Sequence, residues 1–468
     1  MECAPPETSR AGRRNKKGAS LSWDILYAAG LVLWTPYLLY HMIRTGKYRR
    51  SFARRLLPRV KMEPHPRRVW IHAVSVGEAN AARTLVEALK AADGGVHCVV
   101  STITETGQAV AARLYGEQNV FYLPFDFSCA VRRVFDAVRP AALVLVELEV
   151  WPNLVAEASA RGIPVIVVNG RITPRSAAGY RRFRFMMRST LAEVDAYLVQ
   201  SEEYAARFRD AGAPADRIRI TGQMKYDAVA ASENSGAKAA ARKELGLPPD
   251  ALVICGGSTH RGEEEALLKA FRELKRDFPS LRLVLVPRHP ERFDEVEKVI
   301  RDGGEVPLRF SRLKEDKADD RSLGDRVLLV DAMGVLMRVY RASDAAFVGG
   351  SLIPHGGQNL LEPAGCGVPA VFGPSMFNFR EACDVLLAAK GCMQVRAADE
   401  LSSAFRELLA DGNLRSEMGR RAREAILARQ GASARNARAI LDLIGQAEGR
   451  ASGEKSGGTG GITAAGGS

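Results

Sequence analysis

Gly349-Gly350-Ser351-Leu352-Ile353-Pro354-His355-Gly356-Gly357-Gln358-Asn359-Leu360-Leu361-Glu362-Pro363 is the stretch on which the reading of this chain turns. The apolar run 345–348 precedes it and predicts a strand buried on both faces. Four glycines then lead to Asn359 and Glu362, which are placed to open a helix. Glycine lets backbone approach a ligand closely, and the N–H groups of a helix start favour an anion. A carboxylate in the first helical turn can accept hydrogen bonds from sugar hydroxyls. Strand, glycine-rich turn and helix form the repeating unit of a doubly wound α/β domain, which binds ligands at the carboxyl ends of its strands. The glycines alone fit a tight turn equally well. Asn359 and Glu362 at fixed offsets favour a site holding phosphate and ribose together.

The same pattern extends to either side. Apolar runs at 69–74, 96–101, 142–146, 165–168 and 196–199 predict strands, with helical spacing at 79–91 and 128–138 between them. Residues 231–241 interrupt the pattern with Ser, Gly, Lys and Ala and predict a hinge or linker. A second set of strands follows at 252–255, 281–286, 327–329, 345–348 and 369–372. The expected fold class is therefore α/β, with two doubly wound Rossmann-like domains and an interdomain crevice. The boundaries predicted are 45–232 for the first domain and 233–446 for the second. Residues 447–468, rich in Gly, Ala and Ser, are expected to be disordered.

A length of 468 residues suits two domains of this kind. The net charge of +13 favours a phosphate-bearing partner: nucleic acid, anionic lipid or an acidic substrate. Seven cysteines, odd in number, scattered and never spaced as CxxC, support neither a disulfide framework nor a zinc site and favour a reducing compartment. Residues 1–20 read as a basic tail. Residues 25–43 are uncharged, interrupted by Pro36, Thr35 and His41, and about long enough to cross a hydrocarbon core of roughly 30 Å. A membrane anchor over 21–44 is the expectation, followed by a basic collar of Arg44, Lys47, Arg49, Arg50, Arg54 and Arg55. Tyr27, Trp34, Tyr37 and Tyr40 suit a helix lying at an interface as well.

Polar groups gather at the predicted strand ends. His72-Ala73-Val74-Ser75-Val76-Gly77-Glu78 places a carboxylate where a helix begins, which fits a helix cap or a general base. Glu147-Leu148-Glu149-Val150-Trp151-Pro152-Asn153 puts two carboxylates at the mouth of a buried strand, on the same side if the strand persists. Arg171 of Asn169-Gly170-Arg171 is a candidate partner for either glutamate. Lys225, within Thr221-Gly222-Gln223-Met224-Lys225-Tyr226-Asp227, stands at the junction with the predicted hinge. In the second half, Gly256-Gly257-Ser258-Thr259-His260 precedes Glu263, Glu264 and Glu265, and Pro287-Arg288-His289-Pro290 ends the next strand. Arg288 carries a rigid, permanently charged fork suited to phosphate. Asp331-Ala332-Met333-Gly334 ends another strand.

Taken together, these motifs resemble those of the 3-deoxy-D-manno-octulosonic acid (Kdo) transferase family over residues 70–395. The resemblance implies a GT-B fold behind an N-terminal membrane-anchor helix. It also implies inverting transfer of Kdo from CMP-Kdo to a lipid A precursor (lipid IVA), with no metal or other cofactor. It implies Glu78 as general base and Glu149 and Lys225 as transition-state stabilisers. The CMP-binding positions would be Pro287, Arg288, Met333, Gly334, Val335, Asn359, Leu360, Leu361 and Glu362. Anionic lipids of the inner membrane would be the surrounding partner, with the catalytic domains on its cytoplasmic side. The chain departs from the family pattern at Gln358, Val335 and Gln223, where histidine, glutamate and asparagine are usual. A GT-B enzyme using another nucleotide sugar shares the fold signal but not the Ser75-x-Gly77-Glu78 and Glu147-to-Asn153 segments. A non-catalytic nucleic-acid binder accounts for the charge only, and no nucleic-acid partner is expected.

Overall fold

The computed structural model describes residues 17–44, 49–229, 236–313 and 323–456. The chain divides into two compact units, Met1–Ala228 with Gln430–Ser468, and Val229–Arg429.

In the first unit the strands are β1 (Arg68–His72), β2 (His97–Thr102), β3 (Val120–Tyr122), β4 (Ala142–Val146), β5 (Val165–Gly170), β6 (Ala196–Val199) and β7 (Ile218–Ile220). They form one parallel sheet in the order β3-β2-β1-β4-β5-β6-β7. Strands β1 and β4 lie side by side and are buried along their whole length, because helices cover both faces. One face packs Val69, Ile71 and Val144 against the helix Val76–Ala92. The other packs Trp70, Leu143 and Leu145 against Phe135, Leu154 and Phe208. Sheet order reverses between β1 and β4, so the polar residues after these two strands flank one switch point.

The second unit repeats the design. Its strands are β8 (Val253–Thr259), β9 (Arg282–Pro287), β10 (Pro307–Arg309), β11 (Val327–Leu329), β12 (Ala345–Val348), β13 (Ala370–Phe372) and β14 (Cys392–Gln394). Their order is β10-β11-β9-β8-β12-β13-β14, again all parallel. Here the switch point lies between β8 and β12.

Three expectations change. The predicted hinge 231–241 is in part a helix, Ala237–Glu244, and residues 230–235 lie outside the described residues. Residues 432–446, assigned by sequence to the second domain, begin a helix, Ala432–Ser456, that belongs to the first. Ala437, Ile440 and Ile444 recur at helical spacing and fill the core beside Leu85. The Asp227 carboxylate accepts from the N–H groups of Gly431 and Ser433, both at 2.6 Å, and Ser433 Oγ donates to Thr84 Oγ1 at 2.8 Å. Residues 447–456, expected to be disordered, continue that helix, and 457–468 lie outside the described residues.

The third change concerns the N-terminus. Residues 17–44 form a single helix, Lys17–Arg44, which runs through Pro36. No helix among the described residues is long and apolar enough to cross a membrane, which corrects the expectation of a spanning anchor. Thr35, His41 and the tyrosines dilute the run, and Asp24 and Tyr27 at its start are engaged by the protein. Within the expected collar, Arg55 turns inward, donating to Leu123 O at 3.0 Å and covering the Phe125 ring. Arg54 stays exposed, and Lys47 lies outside the described residues.

Candidate active site

In the first unit, Ser75 is the N-cap of the helix Val76–Ala92 and Glu78 its third residue. Glu78 Oε2 accepts from Val74 N–H and Oε1 from Ser75 Oγ, both at 2.8 Å, while Ser75 Oγ accepts from Glu78 N–H at 3.4 Å. This reciprocal arrangement is that of a capping box, so capping and chemistry are compatible here. Each carboxylate oxygen keeps acceptor capacity beyond its single bond. Burial pushes the Glu78 pKa up, the bonds from Val74 and Ser75 oppose this, and the Glu147 charge adds to the rise.

Strand β4 stops at Val146, and Glu147 takes a left-handed conformation with φ 64°. The turn overrides the expectation that Glu147 and Glu149 share one side of a continuing strand. A non-glycine residue at positive φ carries strain, and such residues gather at functional sites. Glu149 accepts from Trp151 Nε1 at 3.1 Å. Burial first, then the Glu78 and Glu147 charges, raise its pKa to about 7. Tyr180 stands close enough for the Glu149 charge to raise its phenol further. Arg171 is exposed and, among the described residues, forms no ion pair with either glutamate, so that expected pairing is not found.

Lys225 lies on a one-turn 3-10 helix, Met224–Tyr226, that packs against the helix opened by Glu78. The turn is fixed by Asn169, itself at φ 53°, whose Oδ1 accepts from Met224 N–H at 3.2 Å. Gln223, the departure from the family pattern, donates to Gln200 at 3.1 Å, and Gln200 in turn donates to Asn169 O at 2.9 Å.

In the second unit the glycine-rich segment follows β12 at the switch point. A Cβ on Gly349 would stand 2.1 Å from Ser258 O, and one on Gly357 would stand 2.1 Å from Met376 Sδ. The packing of the loop on its own protein is therefore enough to require glycine at these two positions. The helix that follows, Leu361–Gly365, is a single short turn and aligns few peptide dipoles.

What shapes the loop is a residue sequence reading did not single out. Glu263 is fully buried, and its carboxylate accepts from the N–H groups of His260 (2.9 Å), Gly350 (2.7 Å), Ser351 (3.0 Å) and Leu352 (3.1 Å). The signal was present in the run Glu263-Glu264-Glu265 directly after a strand end. Glu264 is also fully buried and is paired to Arg292 at 2.8 Å. Arg292 also bonds Glu295 at 3.1 Å, so its charge is spent locally.

Arg288 differs. It is exposed, pairs with no carboxylate within salt-bridge distance among the described residues, and its charge helps keep the Glu362 pKa down against burial. Glu362 accepts from Asn359 Nδ2 at 3.0 Å, and Asn359 Oδ1 accepts from Leu361 N–H at 3.2 Å. The His260 ring stacks near His355 at 4.2 Å and His289 at 5.4 Å, and Gln358 Nε2 meets His260 Nε2 at 3.0 Å. Burial first, then the neighbouring histidines, push the His260 pKa down to about 4. Met333 is exposed and Gly334 has φ 80°. The side chains of Pro287, Val335, Leu360 and Leu361 are buried, so these four predicted binding positions offer a ligand only backbone. Val335 in particular fills the core where the family's glutamate is polar.

The first unit thus groups Glu78, Glu147 and Glu149 at its switch point. The second groups Arg288, Asn359 and Glu362 with three histidines around its own, while Met333 and Gly334 follow β11, two strands from β8.

Residues 46–228 match the family described as 3-Deoxy-D-manno-octulosonic-acid transferase (kdotransferase), and residues 242–425 match Glycosyl transferases group 1. A 3-deoxy-D-manno-octulosonic acid transferase of Haemophilus influenzae is 32% identical over 90% of this chain and 98% of its own. One of Bordetella pertussis is 34% identical over 81% of this chain and 87% of its own. The crystal structure of a glycosyltransferase from Rickettsia africae superposes with a TM-score of 0.52 at 10% identity, covering 81% of this chain and 98% of that one. That likeness concerns the fold alone, two parallel-sheet α/β domains of the GT-B type. The identities over nearly whole chains go further: this protein belongs to the Kdo transferase family of glycosyltransferases.

Proposed function

We propose that this enzyme transfers Kdo from CMP-Kdo to a lipid A precursor, lipid IVA, in lipopolysaccharide synthesis, with inversion at the anomeric carbon. The observation that carries the reading is the acidic switch point of the first unit. Glu78 is held by two hydrogen bonds at a helix start, with the Glu147 charge adding to the rise of its pKa and its own charge raising that of Glu149.

Glu78 is the general base that takes the proton of the acceptor hydroxyl as it attacks the anomeric carbon. Its raised pKa strengthens it as a base, and its two donors keep it oriented. Inversion in one step places the attacking oxygen and the departing phosphate on opposite sides of that carbon. Glu149 and Lys225 stabilise the charge that develops in the transition state. Arg288 receives the leaving CMP phosphate, Asn359 and Glu362 hold ribose and base, and Met333 with Gly334 line the nucleotide. Val335, Leu360, Leu361 and Pro287 contribute through backbone. The enzyme requires no metal or other cofactor in this reading.

The acceptor is a lipid, and the enzyme works at the cytoplasmic surface of the inner membrane. Val32, Leu33, Trp34, Tyr37 and Ile43 are exposed on the first helix beside Arg44, a composition suited to lying in an anionic interface rather than crossing it. Incubating the purified chain with lipid IVA and CMP-Kdo is the test, and a Kdo-bearing lipid is the expected product. Transfer from a UDP-sugar, with none from CMP-Kdo, would replace this donor by another.

A further inference from the structure

Two helices that shape the acidic switch point lack side-chain caps of their own. The helix Ser128–Val138 starts after Phe127, and the helix Pro152–Ala160 after Trp151; neither residue makes a capping hydrogen bond. The first N–H groups of a helix have no partner within it and need one from outside. Both are supplied by carboxylates from elsewhere in the chain.

Asp126 serves the second helix. Its Oδ2 accepts from Asn153 N–H and its Oδ1 from Leu154 N–H, both at 2.9 Å. Asn153 Nδ2 donates back to Asp126 O at 2.5 Å. Asp24, from the N-terminal helix, serves the first. Its Oδ1 accepts from Ser128 N–H at 2.8 Å and its Oδ2 from Ser128 Oγ at 2.6 Å. The same Asp24 Oδ1 accepts from Asn153 Nδ2 at 3.0 Å. One turn on, the Tyr27 hydroxyl hydrogen-bonds the Asp126 carboxylate, and its ring edge meets Phe127 at 6.3 Å. Asn153 closes the segment that begins at Glu147, and Trp151, two residues before it, holds Glu149. Hydrogen bonds therefore tie the N-terminal helix and Asp126 to Asn153, and two residues of chain carry that anchor to Trp151, which holds Glu149.

We infer that Asp24 and Tyr27 are positioning residues for the transfer reaction: the N-terminal helix straps the Asp126–Asn153 clamp and so sets the Glu149–Trp151 loop. This rests on the function proposed above. It gives the helix a role in turnover that is separate from any contact with lipid. The strap touches no substrate and acts through Asn153 and Trp151 alone.

The test uses the full chain in detergent micelles, with CMP-Kdo and a lipid A precursor. Asp24→Ala is expected to lower kcat about tenfold or more, since small misplacements of reacting groups cost that much. KM for CMP-Kdo and the number of CMP-binding sites per chain should stay unchanged. Asp24→Asn keeps an acceptor oxygen for Ser128 N–H and Asn153, and should restore most of kcat. Tyr27→Phe, which loses only the bond to Asp126, should lie between wild type and Asp24→Ala. Wild-type kcat in Asp24→Ala would overturn the proposal. So would equal losses in Asp24→Ala and Asp24→Asn that track a fall in CMP-binding sites, since that marks a purely structural cap. If the unaltered chain transfers no Kdo, it is the proposed function that fails, a result distinct from either.

Discussion

The two units share a topology and differ in what they place at its switch point. Both run seven parallel strands with a reversal beside the first strand, and both set polar residues after the two strands at the reversal. In the first unit those residues are Glu78, Glu147 and Glu149; the Glu147 charge adds to the burial that raises the Glu78 pKa, and the Glu78 and Glu147 charges add to the burial that raises that of Glu149. In the second, two fully buried carboxylates at a strand end are satisfied by structure: Glu263 by four backbone N–H groups and Glu264 by Arg292. Arg288 and His355 are left exposed, beside the buried His260. The same backbone plan thus yields a site suited to accepting protons and one suited to receiving an anion. Fold decided where each site lies, and side-chain charge decided what each can do.

Glu78→Gln is the strongest way to break that contrast. The amide keeps an acceptor for Val74 N–H and can still meet Ser75 Oγ, so the helix start survives while the base is lost. Removing a general base should lower kcat by about 10²–10⁴-fold. CMP binding, which the proposed function places in the second unit, should not change by calorimetry. A variant turning over at the wild-type rate would take the base away from Glu78.

Arg288→Ala probes the opposite pole. A charge-assisted hydrogen bond to phosphate is worth about 1.5–3 kcal/mol, so CMP affinity should fall by about 10- to 100-fold. Arg292→Ala would instead unpair buried Glu264 and cost stability, visible as a lowered Tm. If both variants bind CMP equally well and melt alike, the distinction between a free and a spent arginine is wrong.

How much of this was legible in the sequence divides along a physical line. The strands could be read because buried parallel strands are apolar runs, and the switch-point residues because polar groups at strand ends break those runs. Glu78, Glu149, Arg288 and Glu362 were found that way. Contacts set by tertiary packing were not. Asp24 lies 104 residues from Ser128 and 129 from Asn153, and no periodicity announces such pairs. The C-terminal helix reads as the end of the second domain followed by a disordered tail until Asp227 and the face of the Val76–Ala92 helix supply its partners. The glycines were located, but nothing in a sequence shows that Ser258 and Met376 also occupy the space a Cβ would need.

A subtler way to sharpen the comparison is through pH. Burial, then the charges of Glu78 and Glu147, hold Glu149 at about 7 rather than 4.5. If transition-state stabilisation needs the ionised carboxylate, kcat should rise about tenfold between roughly pH 6 and 8 and then level off. Stability runs the other way. Between about 4.5 and 7 the folded state keeps a proton that the unfolded state releases, so this group's contribution is fully present below 4.5 and is lost as pH rises to about 7. Glu149→Gln should flatten the stability slope in that window, measured by urea denaturation across pH. An unaltered slope would mean that Glu149 does not titrate there.

The smallest expected effect isolates what the acidic cluster costs the fold. Glu147 holds φ 64° and is one of the charges that raise Glu149. Glu147→Gly removes both the steric strain of a left-handed side chain and that charge. Relief of strain is worth about 1–2 kcal/mol, set against roughly 0.5–1 kcal/mol for the added freedom of glycine in the unfolded chain. The net should be a gain of up to about 1.5 kcal/mol in urea denaturation. At the same time the rising limb of kcat should move to lower pH, because Glu149 loses one of its like-charged neighbours. A gain in stability with an unmoved limb would confine Glu147 to backbone strain. A loss of stability with a shifted limb would show that its side chain supports the turn. Only the two changes together support the view that this unit tolerates a strained, crowded carboxylate group for the sake of its chemistry, which the second unit, with its carboxylates neutralised, has no need to do.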